Sequence, residues 1–193
     1  MSSYLFALID AGGSVPPELG AAGRLVARGH RVDVLAEDSM LDEVTAAGAT
    51  FRPWVQAPNR PNRQPQHDPL RDWECRNPLQ IMARMLDRIL IGPAPAYAAD
   101  FTAVVGECGS SVAVCSCFAV GAMVAAEAAA VRYAVLMPNI YVLPAPGKPP
   151  FGLGTRPASG AITRIRDRAL TTVVHDNGTK ASTDSMTCES RTG

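Results

Sequence analysis

Asp10, Gly12, Gly13 and Ser14 stand together in the stretch "LIDAGGSVPPELG", where an apolar run meets a glycine corner and then two prolines. Three roles fit such a corner: a phosphate cradle, a wall of a pocket for another ligand, or a plain turn. A dinucleotide fingerprint needs G-x-G-x-x-G, and a Walker loop needs G-x₄-G-K-[ST]. Here the glycines are adjacent, no lysine follows, and Pro16 and Pro17 lack the N–H groups a phosphate would use. A pocket wall is the favoured reading. Open parallel sheets bind ligands beyond the carboxyl ends of their strands, and glycine lets a ligand approach the backbone. Asp10 offers a carboxylate at the same mouth. It is either a general base or a loop cap that accepts backbone hydrogen bonds.

The other reactive side chains are less organised. His30 follows Gly29 at a helix-to-strand turn, the opposite end of the sheet, and reads as a packing or capping residue. His67 lies in a polar loop and His175 near the end of the sequence, neither with a visible partner. Cys115 and Cys117 are spaced C-x-C, on one side of a strand, and no second pair at zinc spacing accompanies them. The five cysteines, an odd number, read as buried thiols, and no metal site is expected. Trp54, Trp73, Asn139, Tyr141 and Phe151 lie in long loops. They suit an apolar pocket with a few polar anchors, or equally a set of loop side chains folded back on the core.

The elements that must position these residues follow from periodicity. Tyr4–Ile9 is too short for a helix and reads as a strand buried on both faces. Pro16 and Pro17 open a helix in which Glu18 complements the positive N-terminus, and Gly29 ends it. Strands are expected at Arg31–Ala36, within "TFRPWV" at an edge because of Pro53, at Val112–Cys117 and at Tyr133–Met137. Helices fit "MLDEVTAAG", "NPLQIMARMLDRILIG", "AYAADFTAVVGECG", "AVGAMVAAEAAAV" and "GAITRIRDRALTTVV". Strands alternating with helices predict an α/β fold: an open, mainly parallel, Rossmann-like sheet with helices on both faces. Pro58–Pro69 and Pro138–Pro157 are loops without periodicity. Residues 1–174 are expected to form one domain, and 175–193 a polar, disordered tail.

With 193 residues and 47% apolar content the chain can bury a substantial core. Charged residues make up only 19% and the net charge is zero, which argues against nucleic-acid binding through a basic face. The clusters Arg84/Arg88 and Arg164/Arg166/Arg168 read as solvated helix faces. The apolar stretch Val112–Met137 contains Glu127 and Arg132 and breaks into strand, helix and strand, so no integral membrane contact is expected. The N-terminal residues "MSSYLFALIDAGG" lack a basic leader, and a cytoplasmic protein is expected.

"GGSVPPELGAAGRLVARGHRVDVLAE" and "AAGATF", with the later segments "GAMVAAEAAAV" and "LPAPGKPPFGLGTRPASG", resemble the N-terminal domain of GT-B glycosyltransferases of the UDP-glycosyltransferase type, including bacterial enzymes that glycosylate macrolides. The resemblance runs from about Tyr4 to Val174. It implies a domain that binds a small apolar acceptor, facing a second domain that binds a nucleotide-sugar. The donor is a substrate, so no cofactor is implied. The donor domain is not recognisable here, and the chain is expected to be a truncated form, inactive alone. Many members carry a histidine base after the first-loop glycine and an aspartate that orients it. Ser14 falls at the histidine position and Ser116 at the aspartate position. Asp10, Ser14 and Ser116 are therefore the candidate catalytic residues. Gly12, Gly13, Trp73, Asn139, Tyr141 and Phe151 are candidates for acceptor binding. A stand-alone binding or regulatory module is the alternative.

Overall fold

The computed structural model describes residues 1–138, 156–157 and 159–170. Contacts divide the chain into two compact units, one of Met1–Pro69 with Ile89–Pro138, the other of Leu70–Arg88 with residues from 139 onward.

The first unit is a sheet of five parallel strands: β1 (Ser3–Ala7), β2 (Arg31–Ala36), β3 (Thr50–Pro53), β4 (Val112–Ser116) and β5 (Tyr133–Leu136), in the order β3-β2-β1-β4-β5. This is the Rossmann-like arrangement expected from the alternating pattern. Helices α1 (Val15–Ala27), α2 (Leu41–Ala46), α4 (Ala94–Cys108) and α5 (Val120–Ala128) cover it. Side chains alternate along a strand, so β1 feeds two cores. Leu5, Ala7 and Ile9 pack with Trp54, Tyr97, Phe101 and the alanines of α5. Phe6 and Leu8 pack on the other face with Val15 and Leu19 of α1 and Val44 of α2. Each residue from Tyr4 to Ile9 thus serves one layer or the other, which is why the run reads as continuously apolar rather than alternating.

The element boundaries differ from expectation at a few strand ends. β1 stops at Ala7, although Leu8 still donates to the Leu35 carbonyl at 2.9 Å. β4 stops at Ser116 and β5 at Leu136. β3 is the edge strand that Pro53 requires, since proline has no ladder donor. Gly29 and Gly48 follow the ends of α1 and α2.

The second unit contains α3 (Pro78–Met85), whose cap Asn77 accepts from the Gln80 N–H at 3.0 Å, and a helix over residues 161–170. By length and composition the helical stretch Pro78–Cys108 is apolar enough to cross a membrane. In its α4 portion Tyr97, Asp100 and Phe101 are buried beside the sheet. The segment 171–193, expected to be a disordered tail from 175, lies outside the described residues.

Candidate functional site at the carboxyl end of the sheet

β1 runs out through Leu8 and Ile9 to Asp10, and the chain then turns through a short 3₁₀ segment, Gly12–Ser14, into α1. Gly12 has φ +65°, the left-handed region that glycine enters without penalty, whereas Gly13 has an ordinary backbone. Both are exposed and a Cβ at either would meet nothing within 4 Å. The corner is therefore open on its outer side.

Ser14 is the N-cap of α1, yet its hydroxyl caps nothing. A capping serine accepts from the N–H of the second or third helical residue. In α1 those residues are Pro16 and Pro17, which have none. The prolines thus both start the helix and leave the Ser14 Oγ without a partner, buried at 1% exposure.

One turn later Glu18 is also buried, at 1% exposure, and neither carboxylate oxygen has a hydrogen-bond partner of normal geometry. Ser116, at the carboxyl end of β4, is fully buried and its Oγ is likewise unpartnered. Burial pushes the Glu18 carboxyl up to about 7, an effect partly offset by the adjacent Ser116 hydroxyl, which favours the ionised form. The two side chains are thus close enough to interact without forming a well-aligned hydrogen bond. Buried polar atoms are nearly always satisfied, so a cluster of orphaned oxygens on two elements calls for a functional explanation.

Asp10 behaves differently. Its Oδ1 accepts from the Gly12 N–H at 3.2 Å, and its Oδ2 accepts from Ser39 Oγ at 2.8 Å and Arg63 Nε at 2.7 Å. Burial alone would raise its carboxyl. The Arg63 and Ser39 hydrogen bonds, the Arg60 charge and the Gly12 N–H together hold it below the usual carboxylate value. Arg60 bonds the Asp10 carbonyl and pairs with Glu37 at 2.5 Å, and Arg63 forms a fork with Glu43 at 2.6 and 2.9 Å. The loop Pro58–Pro69, expected from its lack of periodicity, is in this way tied down beside the corner. Asp10 thus accepts from three donors on its two carboxylate oxygens, as the loop-cap reading describes.

The remaining candidates are scattered. Trp73 lies in the second unit, 57% exposed. Asn139, Tyr141 and Phe151 lie outside the described residues. Trp54 is a core residue: its Nε1 donates to the Leu8 carbonyl at 3.0 Å and its ring meets Tyr97 edge-on. His30 accepts from the Ser2 N–H at 3.3 Å and packs edge-on against Tyr4, the structural role expected of it. Cys115 is buried and burial pushes its thiol up to about 12, while Cys117 lies just past the strand and is half-buried. Among the described residues no group of three His, Cys, Asp or Glu side chains is placed to hold a metal.

Glu18 gives the first testable consequence. At pH 4 its carboxyl is protonated in both folded and unfolded chains. Between its ordinary value of 4.5 and about 7 the unfolded chain ionises first, so the folded state holds the extra proton and stability falls as pH rises. At about 1.4 kcal/mol per pH unit the total is roughly 3 kcal/mol. Glu18→Gln should therefore be more stable than wild type at pH 8 and nearly equal to it at pH 4. Urea denaturation of both chains at the two pH values measures the difference directly.

No family model and no curated protein matches the sequence. Solved structures do match. The glycosyltransferase of kitacinnamycin superposes with a TM-score of 0.53 at 23% identity, over 69% of this chain and 30% of that one. CalG4, the calicheamicin glycosyltransferase, gives 0.55 at 20% identity, over 70% and 32%. SsfS6, a Streptomyces sp. SF2575 glycosyltransferase, gives 0.50 at 17% identity, over 70% and 39%. The chain thus shares its Rossmann-like α/β fold with a part of each of these glycosyltransferases. The chain spans about a third of the length of the solved structures it matches.

Proposed function

We propose that the α/β unit is the acceptor-binding domain of a GT-B glycosyltransferase, taking a small apolar molecule with a hydroxyl group to be glycosylated. The nucleotide-sugar is held by a donor domain outside these 193 residues, and the 193 residues taken by themselves bind acceptor without turnover. The observation that carries this reading is the set of unpartnered buried oxygens of Ser14, Glu18 and Ser116 beyond the carboxyl ends of β1 and β4. Ligands of open α/β sheets bind at that end, and a hydroxyl can both donate to and accept from such a cluster. A phosphate is a poor alternative occupant. The first turn of α1 lacks two N–H donors, and the Arg60 and Arg63 guanidiniums at this end are already engaged by Asp10, Glu37 and Glu43. Ser14 and Ser116 stand where related enzymes are expected to carry histidine and aspartate, and a serine hydroxyl is no base by itself at neutral pH. No metal or cofactor is proposed, and the setting is cytoplasmic.

The test combines calorimetry with a turnover assay. Apolar alcohols and phenols should bind, while UDP- and TDP-sugars should not, and no glycosylated product should form above background. Nucleotide binding without acceptor binding would overturn the assignment. Product formation would show that these residues also bind donor.

A further inference from the structure

Four buried side-chain oxygens without partners lie in the first turns of α1 and at the end of β4: Ser14 Oγ, both Glu18 carboxylate oxygens and Ser116 Oγ. They come from three residues that are 0–1% exposed. Ser14 and Glu18 are four residues apart on successive turns, and Ser116 is the hydroxyl that acts on the Glu18 carboxyl. Gly12 and Gly13, open to solvent, lead directly into Ser14, so the cluster begins at the exposed corner and runs inward. Asp10, Glu37, Glu43, Arg60 and Arg63, charged groups at this end of the sheet, are bonded to one another. Among the described residues, no charged side chain acts on Glu18; burial and Ser116 alone set its protonation.

We propose that Glu18 is the proton store for the acceptor hydroxyl, reached through the hydroxyls of Ser14 and Ser116. This rests on the acceptor-domain reading above. Ser14 meets the hydroxyl, and Glu18 is a positioning residue that acts through the serines. In the transfer the acceptor O–H bond breaks and its proton passes along the serine hydroxyls, each giving up its own proton, to a Glu18 carboxylate oxygen. The acceptor oxygen uses the freed pair to bond the anomeric carbon of a nucleotide-sugar. The bond from that carbon to the phosphate oxygen breaks, and its pair leaves with the nucleotide. A carboxylate raised toward neutrality suits this exchange, because a proton store works best when its affinity matches the working pH.

The test needs no donor. Borneol, an apolar alcohol that does not ionise in the range used, is titrated into the 193-residue chain by calorimetry from pH 5.5 to pH 8. An ionised Glu18 receives the hydroxyl through the serines better than a neutral one, so affinity should rise about tenfold across the range, the effect of one hydrogen bond to a charged group. Glu18→Gln should bind with a flat profile. Should that variant fail to fold, Ser116→Ala serves, with the Glu18 carboxyl followed by ¹³C NMR. In wild type, saturating borneol should move its titration to lower pH, and in Ser116→Ala the movement should be lost. Binding with a flat profile in wild type, or a slope retained in Glu18→Gln, overturns the role of Glu18 and leaves the acceptor reading intact. No binding at any pH overturns the acceptor reading and this inference with it.

Discussion

Gly121→Val will prevent the α/β unit from reaching its native packing. Gly121 lies in the first turn of α5, and a Cβ built there would stand 1.9 Å from the Ala94 carbonyl oxygen, 2.8 Å from its carbon and 3.0 Å from its Cα. These are backbone atoms at the start of α4, so no side chain can rotate away. The helices would have to separate along a contact filled by Ala119, Ala122, Ala125 and Ala126, residues whose small size permits the close approach. Overpacking of a well-filled core costs about 1–3 kcal/mol, and more where backbone must move. A loss of about 3 kcal/mol or more is expected, enough to leave much of the chain unfolded or insoluble. Gly13→Ala is the control. It adds the same atom into open space at an ordinary backbone angle and should shift the urea midpoint little. Comparing soluble yield and urea midpoints of the variants measures the contrast.

Asp100→Ala is expected to have the next largest effect. Asp100, buried on α4, accepts from three consecutive backbone N–H groups: Val55 at 2.9 Å, Gln56 at 2.9 and 3.0 Å, and Ala57 at 3.0 Å. One carboxylate thereby fixes the chain where it leaves β3. That position matters to the site, because Trp54 just before it donates to the Leu8 carbonyl under the exit of β1. Each donor left unsatisfied in a buried place costs about 1–3 kcal/mol, although Val55 and Gln56 are exposed and their N–H groups can turn to water. A net loss of about 3 kcal/mol is expected, with faster amide exchange at residues 55–57. Asp100→Asn keeps one acceptor oxygen and should lose about half as much. Thermal denaturation with amide exchange distinguishes the two variants.

The sheet was legible because its signals are local and strong. "YLFALI" is apolar along its whole length, as a strand covered on both faces can be, "RVDVLA" is apolar apart from Arg31 and Asp33, and glycines mark the helix ends. The site was legible only in part. Ser14 and Ser116 came from position within a resemblance, and the structure buries both at the same end of the sheet. Glu18 was read as a charge complementing the helix N-terminus, when it lies on the buried stripe Val15, Glu18, Leu19, Ala22. The signal was present: an acidic residue at an i, i+3, i+4, i+7 position belongs to the core face whatever its charge. Arg60 and Arg63 could not have been found this way. Their partners Asp10, Glu37 and Glu43 lie 20–53 residues away, and nothing in "PNRPNRQPQHDP" encodes a long-range ion pair. Asp10 likewise has partners that the sequence could not show: a carboxylate at a strand end reads as a base or a loop cap, and only the structure shows it bonded to Gly12, Ser39 and Arg63.

Amide NMR of the ¹⁵N-labelled chain, titrated in turn with an apolar alcohol and with TDP or UDP, tests the central claim most directly. The alcohol should shift the Gly13, Ser14 and Ser116 amides together, since these flank the cluster at the ends of β1 and β4, while the nucleotides leave them in place. Nucleotide-induced shifts at Gly12, Gly13 and Ser14, with no response to the alcohol, would make the corner a phosphate cradle and contradict the account.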